Sequence, residues 1–451
     1  MAILALVLIL AACGSGNEEE GKKVDAENEE NKDNGNNVEE GTENQEVAEF
    51  PTDPVTIRIA QSWHEEMFED RTRIIMEKHP HITIESVPFS GKQEDLEELF
   101  ANNVEFDIIL SSNIPMMEDY ELVYPLDDLV EKYGFELTGL NPGLVNFVRS
   151  KGSDNSLVGF PDGTAFAGLF YNKDVFDEFG VPYPDPDVAM TWEETFALAA
   201  KMTGTRDGVD YVGLEFDPTT STRLIPLTQL GLNMTDPETG EVLLTKEPGF
   251  HRYLTLMEDF LNIPGIPSKS MAAYEFRDKK GAMVVAYHRL LANNWSEADG
   301  NEEYKKNMDI VPIPVWPDLP NTGRELQTTA MIISNHSENK DAAFQVLMEY
   351  VGKDSQLEIS RTMGSGFAST DPEVQEQFGA AVPDYDGKNV AAFFKHNPVL
   401  MDVRSQWDTH VNIAGEAGAL EKLIEGIDIN TILREISEDA ESKIKDAKAD
   451  Q

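Results

Sequence analysis

Strand-like and helix-like segments alternate from about residue 54, and this alternation limits the fold more than any other feature. The pattern VTIRIA at residues 55–60 is typical of a strand, a helical pattern follows over 64–78, and HITIESV at 81–87 predicts a second strand. A helix over 94–102 and a short apolar strand at 107–110 complete a βαβαβ order. That order predicts an α/β fold with a parallel sheet and right-handed crossovers.

The ends of these strands suggest where a ligand binds. In open α/β sheets, ligands bind beyond the carboxyl ends of the strands. Trp63 follows the first predicted strand, and Ser112 and Asn113 follow the third. We therefore predict that these three residues lie beside a binding site.

A second informative stretch covers residues 157–195. An apolar run up to Tyr171 leads directly into Asn172, a favourable helix cap, and Gly180 is placed to end the helix that follows. Thr191 and Glu194 have the spacing of a capping box for the next helix. Strand, cap and helix are thus predicted to follow one another without a gap.

This stretch, with YNKD at 171–174, resembles the segment of bacterial extracellular solute-binding proteins, family 1, where the chain crosses between two lobes. Residues 276–295 resemble the strand and ligand-facing loop of that family, while 308–314 and 364–369 resemble its second and third crossings. The resemblance covers about residues 54–448 and is to the maltose-binding-protein-like sugar-binding lipoproteins of ABC transporters. It implies a two-lobed, hinged periplasmic-binding-protein-like fold of type II with the ligand cleft between the lobes.

The resemblance and the composition together divide the chain into segments. We expect a signal peptide, a lipidated cysteine followed by a disordered acidic tether, and two lobes that each use two parts of the chain. The expected bounds are 1–12 for the signal peptide, 13–50 for the cysteine and tether, 51–160 for the first part of lobe 1, 161–309 for the first part of lobe 2, 310–366 for the hinge return and the rest of lobe 1, and 367–451 for the rest of lobe 2.

The N-terminal sequence predicts that the protein is located outside the cytoplasm. MAILALVLILAA is too short to span a membrane as a helix, and it ends in small residues before Cys13, which resembles a bacterial lipobox. The pattern departs from the usual one in that no Lys or Arg precedes the apolar run. Residues 17–50 contain thirteen acidic residues against three basic ones and almost no large apolar residue, which predicts a disordered tether. Cys13 is the only cysteine, so an internal disulfide is excluded.

The charge of the chain excludes some partners. Asp and Glu number 83 against 36 Lys and Arg, a formal net charge of −47. Such a chain repels nucleic acid and anionic membrane surfaces, so neither is expected as a direct electrostatic partner.

No catalytic motif is complete. His64, Glu65 and Glu66 begin a zincin pattern, but Phe68 stands where the second histidine would be. There is no GxSxG elbow, and no Gly-Lys pair is followed by the Ser or Thr of a P-loop. The many carboxylates single out no glycosidase pair. We expect neither an enzyme nor a metal or cofactor site.

Sugar binding needs flat aromatic platforms with polar groups around them. Trp63, Trp295 and Trp407 are candidate platforms, with burial in the core as the alternative. Trp192 is expected to serve packing, and Trp316 is expected beside a hinge, either in the core or in contact with the surface. Arg289 and Arg404 could bind a carboxylate or a hydroxyl pair, or form salt bridges instead. The predicted ligand-binding set is Trp63, Ser112, Asn113, Asp162, Thr164, Tyr287, Arg289, Trp295, Arg404 and Trp407.

The family resemblance implies a binding lipoprotein on the outer face of the cell membrane, extracellular or periplasmic. It would capture a sugar or oligosaccharide by hinge closure and deliver it, as a monomer, to an ABC permease. Two alternatives stay open at this point. The same fold could serve as a ligand-sensing subunit for a membrane receptor, or it could bind peptides or another non-sugar solute. The sequence does not decide between neutral and acidic sugars.

Overall fold

The predicted alternation of strands and helices is present in the computed structural model, which describes residues 47–152, 155–217, 221–266, 276, 280–292, 302–401 and 404–449. Its strands are β1 (Val55–Gln61), β2 (Ile82–Pro88), β3 (Ile108–Ser111), β4 (Phe160–Pro161), β5 (Ala167–Asn172), β6 (Gly204–Arg206), β7 (Val209–Tyr211), β8 (Glu215–Phe216), β9 (Met283–Tyr287), β10 (Met308–Val311), β11 (Thr322–Glu325), β12 (Ala330–Ile333) and β13 (Asn397–Val399).

Helices surround these strands. They are α1 (Glu65–Lys78), α2 (Gln93–Ala101), α3 (Ile114–Asp119), α4 (Asp127–Lys132), α5 (Pro142–Arg149), α6 (Lys173–Phe179), α7 (Trp192–Lys201), α8 (Ile225–Thr228), α9 (Pro248–Leu261), α10 (Arg289–Ala292), α11 (Glu302–Asn307), α12 (Lys340–Val351), α13 (Lys353–Met363), α14 (Pro372–Glu376), α15 (Ala419–Ile424) and α16 (Ile429–Ala449). Single 3₁₀ turns occur at Leu137–Gly139, Ser221–Leu224, Pro383–Tyr385, Val390–Phe394 and Gln406–His410.

Two sheets define two lobes. The sheet of the first lobe has the order β2-β1-β3-β12-β4, and that of the second lobe has the order β10-β5-β9-β8. β1 pairs in parallel with β2 and β3, as the βαβαβ opening predicts, and β12 joins antiparallel to β3. In the second sheet β5 is antiparallel to both β9 and β10.

Each sheet is covered by apolar side chains on both faces. In the first lobe, Ile59 and Ala60 belong to separate core clusters on opposite sides of β1. In the second lobe, Leu169 and Phe170 do the same on β5. Because neighbouring side chains of a strand point to opposite faces, such continuous apolar runs are typical of sheets buried on both sides.

The helix caps predicted around the first crossing are present. The Asn172 side chain accepts a hydrogen bond from the Asp174 amide at 3.0 Å, and Gly180 ends α6 with φ of 63°. Thr191 and Glu194 form the predicted capping box at the start of α7. These contacts fix the direction in which the chain enters the second lobe.

The second crossing lies later than predicted. Residues 308–314 begin with β10, which pairs with β5 in the second sheet, because the apolar run of MDIV suits a buried strand. The chain then forms β11 against β13 and enters the first sheet only at β12. At the predicted third crossing, residues 364–369, the chain contacts both lobes, since Phe367 packs in a second-lobe cluster and Ala368 in a first-lobe cluster.

The described chain begins packed on the first lobe. The Phe50 ring stacks on Tyr133 with centroids 3.8 Å apart and planes at 7°, and the Ala48 amide donates a hydrogen bond to the Lys132 carbonyl at 3.0 Å. The predicted tether, 13–50, therefore extends too far, because the unit to which the described residues belong begins at Val47. A large aromatic ring favours burial even when the residues before it do not.

Candidate functional site

A cavity of about 510 Å³ lies where the chain crosses between the lobes. Its wall combines groups from the first lobe, from the second lobe and from all three crossings. The lining residues are Arg71, Ser112, Asp162, Gly163, Thr164, Ala165, Asp217, Ser221, Tyr287, His288, Arg289, Leu290, Arg324, Gln327, Thr328, Thr329 and Gly366. Hydroxyl, amide and charged groups thus converge on one space.

Hydrogen bonds to backbone carbonyl groups join the crossings to one another. The Asp162 amide donates to the Thr329 carbonyl at 2.9 Å, and the Thr164 hydroxyl donates to the Gln327 carbonyl at 3.0 Å. The third crossing approaches so closely that a Cβ on Gly366 would lie 1.6 Å from the Thr164 carbonyl oxygen. Only glycine fits there, so the crossings form one hinge rather than three separate linkers.

The first-lobe side of the cavity is built around Arg71. This arginine lies on the buried face of α1, with its side chain only 1% exposed, and its Nη1 is 2.6 Å from Asp162 Oδ1. The hydroxyl of Tyr350 hydrogen-bonds with both groups. The guanidinium also lies over the Trp63 ring, with Cζ 4.5 Å from its centroid, and Trp63 stacks on Tyr350 at 6.1 Å.

Burial and neighbouring charge act in opposite directions on the pKa of Arg71. Burial lowers the pKa of Arg71, but Asp162 and Tyr350 outweigh it and the pKa is raised, so the guanidinium stays charged. Burial also raises the pKa of the Tyr350 hydroxyl well above its ordinary value, which keeps the hydroxyl protonated. The cluster therefore contains one paired cation, one paired carboxylate and one neutral donor.

The second-lobe side comes from the end of β9. Tyr287, His288 and Arg289 all line the cavity there. His288 is buried, and its Nδ1 accepts a hydrogen bond from the Phe166 amide at 3.0 Å. Burial, and then the nearby charges of Arg289 and Arg324, lower the pKa of His288 to about 3, so this imidazole is neutral at physiological pH.

Arg324 reaches the cavity from β11. Its guanidinium donates to the Ala165 carbonyl at 2.6 Å, to the Thr164 hydroxyl at 3.3 Å and to the Glu325 carbonyl at 2.9 Å. Its Cζ also lies 4.9 Å from the centroid of the Tyr287 ring. Arg324 thereby links the first and second crossings to the aromatic wall of the second lobe.

The structure brings five predicted site residues together at the cavity: Ser112, Asp162, Thr164, Tyr287 and Arg289. Two more lie beside it. Trp63 contacts the lining residue Arg71, and Asn113 follows Ser112 but uses its side chain to cap α3, accepting from the Met116 amide at 3.3 Å.

Two predicted residues lie elsewhere in the second lobe. Trp407 is 6% exposed in the core, where it packs on His410 at 6.2 Å and lies beneath Lys448 at 4.9 Å. Arg404 binds the buried Glu325 through Nε at 2.5 Å and lies 3.4 Å from Asp408. The structure thus shows packing for Trp407 and ion pairing for Arg404, the alternatives that the sequence left open. Trp295 and Cys13 lie outside the described residues.

Arg71, Arg324 and Tyr350 were not predicted. Arg71 carried a signal, because it occupies the apolar stripe of α1 together with Phe68, Thr72 and Ile75. A charge on such a stripe is rarely buried unless it is paired. Arg324 and Tyr350 carried no comparable signal, since their position depends on how distant segments meet.

Two features are absent from the part of the chain that the structure describes. It contains no group of three or more His, Cys, Asp or Glu side chains arranged to hold a metal ion. It also contains no helix with the length and apolar content needed to cross a membrane.

Known proteins agree with this architecture. A binding protein of Brucella abortus (strain 2308) is 24% identical over 313 residues, which are 66% of this chain and 71% of that protein. A sugar transporter of Rhizobium etli in an open conformation is similar in structure with a TM-score of 0.66 at 18% identity, covering 86% of this chain and 99% of that one. An ABC substrate-binding protein of Listeria monocytogenes in complex with cycloalternan gives a TM-score of 0.65 at 18% identity, covering 87% of this chain and all of that one (100%).

These likenesses establish a two-lobed fold of the type II periplasmic-binding-protein class, with the cleft between the lobes. In addition, residues 71–389 match the family described as bacterial extracellular solute-binding proteins. That match includes the first-lobe arginine, all three crossings and the end of β9. The chain therefore belongs to the bacterial extracellular solute-binding protein family.

Proposed function

We propose that this chain is the substrate-binding lipoprotein of an ABC importer, and that it captures a sugar or oligosaccharide for a membrane permease. The observation that carries the proposal is the cavity at the hinge, to which both lobes contribute hydrogen-bonding groups. Its volume suits a small saccharide, and a few convergent polar groups around an aromatic ring are what such a ligand requires. The sugar transporter of Rhizobium etli and the cycloalternan complex from Listeria support this choice of ligand.

The proposed mechanism is closure of the lobes around the ligand. Ser112 belongs to the first lobe, whereas Tyr287 and Arg289 belong to the second, so one ligand can contact both. A ligand shifts the hinge toward the closed form only as far as it binds that form more tightly. The permease would then recognise the closed form.

Within the site, each group has a distinct proposed task. The Tyr287 ring is the platform for an apolar sugar face, and Ser112, Asp162 and Thr164 bind hydroxyl groups. Arg71 positions Asp162 through the 2.6 Å ion pair. Trp295, outside the described residues, stays a predicted second platform.

The proposal extends to the location of the protein. Cys13 would carry the lipid, and the acidic segment after it would hold the folded lobes away from the membrane surface. The protein would work as a monomer on the extracellular or periplasmic face. Incubation with chromogenic glycosides should yield no product, because we propose binding without turnover.

A thermal-shift screen tests the proposal. Mono- and oligosaccharides form one set, and amino acids and short peptides form the contrasting set. A ligand at one hundred times its Kd stabilises the fold by about 2.7 kcal/mol, which raises the melting temperature measurably. A stabilising sugar supports the proposal, whereas stabilisation by peptides alone would leave solute binding intact and refute the sugar.

A further inference from the structure

The balance of positive and negative side chains at the cavity differs from that of the chain as a whole. The chain has a formal net charge of −47, yet the described cavity lining contains three arginines, Arg71, Arg289 and Arg324, against two aspartates, Asp162 and Asp217. In so acidic a protein, a local excess of arginines is unexpected unless each one is paired with a carboxylate, so the partners of each arginine matter.

Arg71 is explained by the fold. Its guanidinium is paired with Asp162 at 2.6 Å and shares the Tyr350 hydroxyl with it. An ion pair of this kind is already neutral, so Arg71 contributes little net charge to a ligand.

Arg324 is different, because it is buried without a carboxylate. It is 9% exposed, and it contacts two carbonyl oxygens, one hydroxyl and the face of Tyr287. The neighbouring carboxylate of Glu325 is bound to Arg404 instead. Among the residues that the structure describes, no Asp or Glu forms an ion pair with Arg324. A buried cation without a counter-ion is costly, so a site that retains one gains by receiving an anion.

Arg289 is a second cavity arginine without a carboxylate partner in the described part of the chain. Its side chain is exposed at the cavity wall, and no ion pair joins it to a carboxylate anywhere in the described ranges. Arg324 lies over the ring of Tyr287, the last residue of β9, and Arg289 follows that ring by two positions, so both arginines line the cavity at the end of β9. Two guanidinium groups on one side of a cavity can share a single anionic group.

We propose that the ligand is an anionic saccharide whose carboxylate or phosphate is bound by Arg289 and Arg324. This inference rests on the proposed function, because it specifies the sugar that the cavity receives. The anion neutralises Arg324 when closure removes water from the site. A neutral sugar would leave that guanidinium enclosed without a counter-ion.

Isothermal titration calorimetry on the purified full-length chain tests the inference. The probes are galacturonate and its trimer, glucuronate, galactose 1-phosphate, glucose 6-phosphate, and neutral galactose and glucose. We expect at least one anionic probe to bind about tenfold or more tightly than its neutral counterpart, with weaker binding at high salt. Whether the uronates or the phosphates bind identifies the anionic group.

Substitutions assign the effect to the arginines. Arg289→Gln should weaken binding of the anionic probe about tenfold or more and weaken binding of the neutral sugar by a smaller factor, so that the preference for the anionic probe falls. Arg361→Gln is the matched control, because Arg361 is also exposed and without an ion pair in the described chain but does not line the cavity. Arg324→Lys keeps the charge and loses the planar fork, so it should weaken binding while the melting temperature is checked separately.

The possible failures are distinguishable. If neutral sugars bind as tightly as anionic ones, or if Arg289→Gln leaves the preference intact, the anionic ligand is refuted and sugar binding stands. If neither set of sugars binds while peptides or amino acids do, the proposed function itself is refuted, and this inference with it.

Discussion

Arg71 donates a hydrogen bond to Asp162 across 2.6 Å, and this contact joins helix α1 of the first lobe to the first crossing. The partners are 91 positions apart in the chain. The side chain of Arg71 is almost fully buried and that of Asp162 mostly so, which makes the pair part of the hinge rather than a surface salt bridge.

Arg71→Gln should therefore destabilise the protein by about 3 kcal/mol, because it leaves the Asp162 carboxylate buried without its cation. Chemical denaturation measures the loss. Arg73→Gln is the control on the same helix, where the half-exposed arginine pairs with Glu77 and Glu358 and the expected loss is below about 1 kcal/mol. Equal losses at the two positions would contradict a special contribution from Arg71.

Trp407→Ala should lower stability by about 3–5 kcal/mol, because it removes a large buried side chain from the second-lobe core. The affinity for a ligand found in the thermal-shift screen should stay unchanged, since Trp407 does not line the cavity. Trp407→Phe should lose less. Reduced affinity at unchanged stability would instead restore Trp407 as a platform.

Arg404→Gln should cost about 3–5 kcal/mol of unfolding free energy, because Glu325 and Asp408 would both remain buried without their cation. Urea denaturation of the variant and the parent gives the difference. Arg434→Gln, which removes an exposed i,i+4 pair with Glu438 on α16, should cost less than about 1 kcal/mol. A result within that range for Arg404 would show that its ion pairs do not support the fold.

Stability should fall in acid partly through His288. Its pKa is lowered from 6.5 to about 3 in the folded chain, so between these values the unfolded chain binds the proton and the folded chain does not. The contribution is complete above pH 6.5 and is lost as the pH falls toward 3.

His288→Asn, which keeps an acceptor for the Phe166 amide, should reduce the difference in melting temperature between pH 7 and pH 4.5. Thermal denaturation at both pH values measures it, with the exposed His336→Asn as control. An unchanged difference in the His288 variant would show that the histidine is not held neutral.

Membrane attachment should depend on Cys13. Cys13→Ala should move the protein from the membrane fraction to the soluble fraction, because the proposed lipid is attached through its sulfur. Fractionation followed by immunoblotting measures this. Retention of the variant in membranes would refute the lipid anchor.

Local patterns predicted local structure well. The capping box at Thr191 and the cap at Asn172 depend on residues within three positions of each other, so the sequence contains all the information they need. The predicted position of the second crossing, at residues 308–314, was wrong for the opposite reason. The MDIV run could serve as a crossing or a strand, and only its pairing with β5, more than 130 residues earlier, decides between them.

The site also has features that local sequence could predict and others that it could not. Ser112 and Arg289 follow strands and Tyr287 ends one, and all three line the cavity at strand ends that could be predicted. Arg289 and Arg404 looked equivalent in the sequence, yet Glu325 lies 79 positions from Arg404 and pairs with it, while the structure gives Arg289 no such partner among the described residues. Charge pairing of this kind is a property of the folded chain and has no local signal.

The stacking of Phe50 on Tyr133 decides which lobe carries whatever precedes residue 47. The two rings lie 3.8 Å apart, and Tyr133 also packs on Phe344 in the first-lobe core. The chain before residue 47 is therefore attached to the first lobe. If the chain is held at its N-terminus, the first lobe is the anchored lobe, and opening or closing of the cleft moves the second lobe relative to the anchor.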